Sequence, residues 1–173
     1  MSREFGFLFK YEHYNKDGEL VWSQDWSPNQ FSDDGFEHMF DLYFRGATAP
    51  TGFEIGLTGS APLQDDSIAQ IGTKEIDSAT EGYARQGVDR DDTASGFPTL
   101  ALDGGDMQIE STTVQFENTD GSVAWDGATH AFLTAVMAGD DIFVCWQALS
   151  TTRTLQPGDK LNVTIKAKGK QPA

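Results

Sequence analysis

The sequence has one cysteine, few cationic side chains and no long apolar run, and each shortage excludes a class of protein. Cys145 cannot form an intrachain disulfide or a multi-cysteine metal site, and its place in IFVCW predicts a buried thiol. No apolar run reaches the roughly 20 residues that span a bilayer. The N-terminus MSREFGFLFK lacks a basic region followed by an apolar core, so we expect no signal peptide.

The shortage of cations restricts the partners. Lys and Arg number 12 against 27 Asp and Glu, which gives a net charge of −15. Such a surface repels phosphate backbones and anionic lipids, so we expect no direct nucleic-acid partner and no membrane partner. An aromatic content of 12% argues against disorder. The length predicts one domain over residues 1–168, with 169–173 as a flexible tail.

Motifs for catalysis and metal binding are also missing. The chain has no nucleophile elbow, zinc-protease helix or phosphate loop, so we expect no enzymatic activity and no cofactor. The acidic run from Asp89 starts with EF-hand spacing, but Ala94 replaces the required glycine and Leu100 the bidentate glutamate. His38 has no second ligand at helical spacing. We expect no metal site; an irregular calcium site built from turn acids is the alternative.

What the chain does contain is a succession of short strands. Phe5, Phe7, Phe9 and Tyr11 alternate with other residues, and the turn at 15–18 predicts an opening hairpin. From residue 97 onward, strands and turns alternate at intervals of about 8–12 residues, which is typical of sandwiches and jelly rolls. The fold class is therefore mainly β, an antiparallel β-sandwich or jelly-roll-like domain with one short α-helix.

Two local irregularities can be placed from the pattern. Ile109 and Val114 have opposite parity, which predicts a bulge or bend near residues 111–113. The helix is predicted over about 33–45 and packs over a sheet; Ser32 or Asp33 caps its start and Gly46 its end. Its apolar stripe consists of Phe36, Met39, Phe40 and Tyr43. Residues 68–76 fit either a short helix or an extended arm.

Several segments together resemble a known group of proteins. These are the sequence around Phe44-Arg45-Gly46, the strand GFEIGLTGSAP, the run EGYARQGV and the closing strand PGDKLNVTIKAKG. In this order they resemble structural proteins of tailed-bacteriophage virions, in particular capsid decoration (cement) proteins and related minor head components. The resemblance extends over most of the chain, and EGYARQ is its most specific part.

The resemblance implies a non-enzymatic protein on the capsid surface, made and assembled in the host cytoplasm. Its implied partners are the major capsid protein and copies of itself, as in a trimer. For the contacts we predict an interface formed by Glu81, Tyr83, Arg85 and Gln86, which offer aromatic and bidentate groups. The alternative for this segment is that Tyr83 packs in the core and Arg85 pairs with a nearby acid.

Two other functions remain open at this stage. One is a tail or tail-fibre component, which differs from a decoration protein in location and copy number. The other is a carbohydrate-binding β-sandwich module whose tryptophans stack against sugar rings. The candidates for such a platform are Trp22, Trp26, Trp125 and Trp146. Burial in the core is the competing interpretation, above all for Trp146 in IFVCW.

Overall fold

The computed structural model describes residues 5–76, 82–90, 94, 96–103, 106–119 and 122–169. Its elements are eleven strands, two short α-helices and one π-helical turn. In chain order they are β1 Phe5–Tyr14, β2 Leu20–Pro28, β3 Gln30–Phe31, α1 Asp33–Phe40, the π-helical turn Asp41–Arg45, β4 Gly52–Thr58, α2 Ile68–Lys74, β5 Gln86–Asp89, β6 Thr99–Asp103, β7 Asp106–Glu110, β8 Val114–Glu117, β9 Trp125–Val136, β10 Ile142–Leu155 and β11 Lys160–Gly169.

The strands form two antiparallel sheets. The first has the order β2-β1-β11-β7-β6, with β8 also paired to β11, and the second has the order β3-β10-β9-β4-β5. One cluster of buried side chains joins them, including Phe9 and Ile165 from the first sheet and Ile55 and Leu133 from the second. The predicted mainly β, antiparallel class is confirmed, and the shared core is that of a β-sandwich.

A second apolar cluster lies on the outer face of the second sheet. Phe132, Phe143 and Trp146 pack there against Ile71 of α2. Phe143 and Trp146 differ in parity, and they share a face because the β10–β9 pairing shifts register between Phe143 and Cys145. Cys145 points into the main core, as predicted, and burial raises the pKa of its thiol.

The bulge predicted near residues 111–113 is confirmed. β7 pairs with β11 up to Glu110↔Lys166, and β8 resumes the pairing at Val114↔Val163. Residues 111–113 therefore lie opposite residues 164–165 of β11. The extra residue shifts the alternation by one, so that Ile109 and Val114 can both pair with β11. Ser111 bridges the gap, since its hydroxyl accepts a hydrogen bond from the Ile165 N–H at 3.0 Å.

The predicted helix of 33–45 needs correction. Ser32 caps it as expected, with its Oγ accepting from the Gly35 N–H at 3.0 Å, and Gly46 ends it with φ 74°. However, α-helical bonding stops at Phe40, and a π-helical turn follows in which the Asp41 carbonyl accepts from the N–H groups of Gly46 and Ala47. The helix does lie over the second sheet, through Gly35 against Val144 and through Phe36, whose ring centroid is 4.5 Å from that of Phe31 in β3. Phe40 and Tyr43 of the predicted stripe are exposed instead.

Residues 68–76, which the sequence assigned to either a short helix or an extended arm, contain a helix. Ser67 and Gln70 form a capping box at the start of α2, and Gly72 is accommodated within it. The fold thus has two α-helices among the described residues, where the sequence predicted one. β5 begins at Gln86, after Tyr83 has turned into the core. The predicted tail falls mostly on 170–173, outside the described residues.

A buried ion pair ties α2 to the loop before it. Asp66 is buried, and its Oδ2 accepts from the Leu63 N–H at 2.6 Å and from the Lys74 ammonium. Burial opposes ionisation of Asp66, but these two hydrogen bonds outweigh it and hold the pKa of the carboxyl below its ordinary value. A carboxyl with a depressed folded-state pKa stabilises the fold above its unfolded pKa, and this contribution is lost as the pH falls.

We expect Asp66→Asn to lower the free energy of unfolding at pH 7 by about 1–2 kcal/mol. The difference from the unmodified chain should shrink as the pH falls below about 4, because the carboxyl of the unfolded chain is then protonated and protonation of the native carboxyl follows at lower pH. Urea unfolding at several pH values measures it. Asp65→Asn, at the exposed neighbouring position, is the control and should change little. A difference that persists unchanged at pH 3 would contradict the ionic explanation.

Candidate interaction surface

Of the four predicted interface residues, Tyr83 lies in the core. Its ring stacks on Phe116 with centroids 6.0 Å apart and meets Trp125 edge-on at 5.6 Å. Its Oη accepts the Leu57 N–H at 2.6 Å. This bond satisfies a donor of β4 beyond the end of β5, whose pairing with β4 stops at Ile55↔Gln86. Burial raises the pKa of the Tyr83 phenol, which stays protonated.

We expect Tyr83→Phe to lower the free energy of unfolding by about 1–2 kcal/mol. The ring packing is kept, but the buried Leu57 N–H loses its acceptor. Guanidinium denaturation measures the change, and Tyr43→Phe, at an exposed hydroxyl, provides the control. If both variants have the same stability, the hydroxyl of Tyr83 contributes nothing.

Arg85 is enclosed by carboxylates. Its Nε donates to Glu75 Oε1 at 3.0 Å and its terminal nitrogen to the same carboxylate, while Glu54 and Asp141 lie at 3.7 and 3.9 Å. The guanidinium also covers the Phe132 ring at 5.2 Å. Burial disfavours its charge, but the hydrogen bond and field of Glu75 prevail, and the pKa of Arg85 is raised.

The remaining two predicted residues are less constrained. Gln86 opens β5 opposite Ile55, and its side chain donates to the Ala84 carbonyl at 3.0 Å. Glu81 lies outside the described residues. The structure thus joins Tyr83 and Arg85 to the fold in the way that the alternative interpretation describes. An interface role for the exposed edges of this segment stays a prediction.

Exposed aromatic side chains lie on α1 and the π-helical turn, where the sequence predicted that Phe40 and Tyr43 pack over the sheet. Tyr43 and Phe44 are 77% and 79% exposed, and Phe40 is more than half exposed. Phe40 and Phe44 contact each other with centroids 6.2 Å apart. The sequence carries no clear signal for this exposure, because helical periodicity shows which residues share a side of the helix but not what that side faces.

The tryptophans do not form a sugar-binding platform in this structure. Trp125 and Trp146 are buried. Arg153 covers the ring of Trp22 at 5.0 Å, and the Lys166 ammonium covers that of Trp26 at 4.2 Å. Each of these two partly exposed rings therefore has a cationic side chain over it, from β10 at Trp22 and from β11 at Trp26.

The part of the chain that the structure describes has no candidate metal site. Within it, no three His, Cys, Asp or Glu side chains are grouped so as to hold a metal ion. Asp141, one of the turn acids, instead accepts the Met137 N–H at 3.2 Å. Neither described helix has the length and apolar character needed to cross a bilayer. Residues 91–92 of the acidic run lie outside the described part.

Comparison with known proteins places the chain in a family. A family described as podophage GP4 fiber I protein gp80 matches residues 30–169, which extend from β3 through β11. No curated protein matches the chain. The family description agrees with the virion class that the sequence resemblance implied, and it names a fibre protein rather than a capsid protein. The chain therefore belongs to this family of phage virion structural proteins.

Proposed function

We propose that this protein is a non-enzymatic structural subunit of a phage fibre. The observation that carries the proposal is the family match over residues 30–169, which includes both helices and every described strand except β1 and β2. It favours the tail-fibre alternative over capsid decoration, which the resemblance had put first. On this proposal the major capsid protein is not a direct partner; the partners are neighbouring fibre proteins and copies of the chain.

The structure is compatible with a role in assembly. The sandwich core is continuous between two sheets, which provides a rigid body. Among the exposed large apolar side chains of the described residues, two groups stand out, one on α1 with its π-helical turn and one on the β6–β7 hairpin at Leu100, Leu102 and Met107. Contiguous exposed apolar patches mark contact sites between proteins. Assembly into a larger particle would cover them.

Location and copy number in purified virions test the proposal. Antibodies against this chain, or a tag inserted at the exposed turn near Gly18, should label the fibres in electron micrographs. Quantitative mass spectrometry should give a few to dozens of copies per particle. Label spread over the capsid shell at hundreds of copies would overturn the proposal and restore the decoration hypothesis. Absence of the chain from virions would reject both.

A further inference from the structure

Two cavities lie side by side under and beside α1. The first has a volume of about 170 Å³ and is lined almost wholly by apolar side chains, including Phe7, Phe53, Leu42 and Tyr43. The second, of about 230 Å³, is lined by Asp34, Glu37, Asp41 and Ile142, together with His38. His38 lines both, so an apolar cavity and an acidic cavity meet at one side chain.

The apolar cavity can accept one large side chain. A protein cavity of about 150 Å³ lined by apolar groups holds a benzene ring. Tyr43 lines this cavity and is 77% exposed, so it offers an aromatic ring to a side chain that enters. The entering side chain and the Tyr43 ring would bury each other.

The acidic cavity indicates which charge a bound side chain carries. Asp41 is paired with Arg45 at 2.9 Å, but Asp34 and Glu37 make no ion pair with any described residue. Nε2 of His38 is buried and has no hydrogen-bond partner within the described ranges. Two carboxylates and an unpaired ring nitrogen next to an apolar cavity match a Lys or Arg head group close to an apolar side chain.

The net charge of the chain also indicates which kind of molecule occupies this surface. The chain carries a net charge of −15, so a second copy approaching this acidic surface would be repelled. Anionic lipid and nucleic acid are disfavoured for the same reason. A segment of a different protein that combines a basic residue with an apolar or aromatic one meets no such penalty.

From these observations we propose that α1 and the π-helical turn form a docking surface for a cationic segment of another virion protein. An apolar anchor of that segment enters the cavity between Leu42 and Phe53, and a flanking Lys or Arg pairs with Asp34 and Glu37. The π-helical turn contributes Leu42 and Tyr43, which line the apolar cavity. The identification of the partner as a virion protein rests on the proposed function.

Binding of a labelled probe peptide, Gly-Lys-Gly-Trp-Gly-Lys-Gly, to the full chain tests the surface by fluorescence anisotropy. Two further probes carry Gln in place of both Lys, or Ala in place of Trp. We expect saturable binding of the first probe that weakens as salt is raised, and at least about tenfold weaker binding of each of the other two.

Variants of the chain locate the binding. Tyr43→Ser, at a side chain that lines the apolar cavity, should weaken the first probe about tenfold, and Asp34→Asn with Glu37→Gln should reduce both affinity and salt dependence. Leu100→Ser, at a position 68% exposed on the other sheet, is the matched control and should bind as the unmodified chain does. Circular dichroism confirms that each variant is folded.

Three results would overturn the inference: no saturable binding, equal binding of all three probes, or equal binding by the Tyr43 variant. Sedimentation velocity adds a fourth, since self-association abolished by Tyr43→Ser would identify the occupant as a second copy. None of these measurements uses virions. Peptide binding by a chain absent from fibres would reject the proposed function alone, and a fibre protein that fails to bind would reject this inference alone.

Discussion

Replacing Arg85 by methionine is expected to lower the free energy of unfolding by about 3 kcal/mol. The methionine keeps most of the aliphatic length over Phe132 but leaves Glu75, Glu54 and Asp141 without their shared cation. Glu75 is the most enclosed of the three, and its charge then has no close partner. Urea unfolding measures the loss, which should be larger at low salt because the carboxylates repel one another.

Arg45→Met provides the matched control. The Arg45 side chain is 72% exposed and makes one ion pair, with Asp41, whereas that of Arg85 is 21% exposed. An exposed pair at i,i+4 spacing contributes about 0.3–0.5 kcal/mol. Adding Glu75→Gln to the Arg85 variant should recover part of the loss, since it removes the charge left unpaired. If both arginine variants cost the same, the enclosure of Arg85 has no energetic role.

Replacing Gly35 by alanine is expected to lower the free energy of unfolding by about 2 kcal/mol. A Cβ at this position would overlap the Val144 carbonyl oxygen and lie 2.8 Å from Val144 Cα. Both are backbone atoms of β10, so a change of side-chain rotamer cannot move them away. Overpacking of this kind costs about 1–3 kcal/mol, or more, and the gain of about 1 kcal/mol from alanine in a helix offsets only part of it.

Gly72→Ala is the control for Gly35→Ala. Gly72 is also within an α-helix, but a Cβ there meets nothing within 4 Å. Helix propensity then acts alone, and we expect a gain of about 0.5–1 kcal/mol in thermal or urea unfolding. Opposite signs at the two glycines would confirm that α1 lies against the strand through Gly35. A neutral or stabilising Gly35→Ala would contradict that close approach.

For Arg85 the sequence offered an ion pair with a nearby acid only as an alternative and did not identify the acids, and for Gly35 it indicated no contact. Arg85 and Glu75 are ten residues apart, and Asp141 lies in a different turn; the fold alone brings them together. Gly35 looked like an ordinary residue of the first helical turn. The aromatic stripe of α1 was misread for a related reason: helical periodicity shows that Phe36, Phe40 and Tyr43 share one side but does not say what that side faces.

The sequence by itself determined the strand-forming segments, the hairpin turns, the bulge opposite β11, the burial of Cys145 and the start of α1. These follow from period-two alternation, turn chemistry and capping, all of which act within a few residues. It also carried the virion class, through short segments whose order resembles known proteins. The π-helical turn was beyond it, since an extra residue in one turn leaves no clear trace in composition.

Only the tertiary structure decided which residues are available to partners. It buried Tyr83 and enclosed Arg85, both taken for contact residues, and it left Tyr43 exposed at an apolar cavity that adjoins an acidic one. The physical reason is that burial depends on which surfaces the two sheets have already covered. Once Gly35 brings α1 against Val144, the inner side of the helix is used, and the aromatic side remains for another molecule.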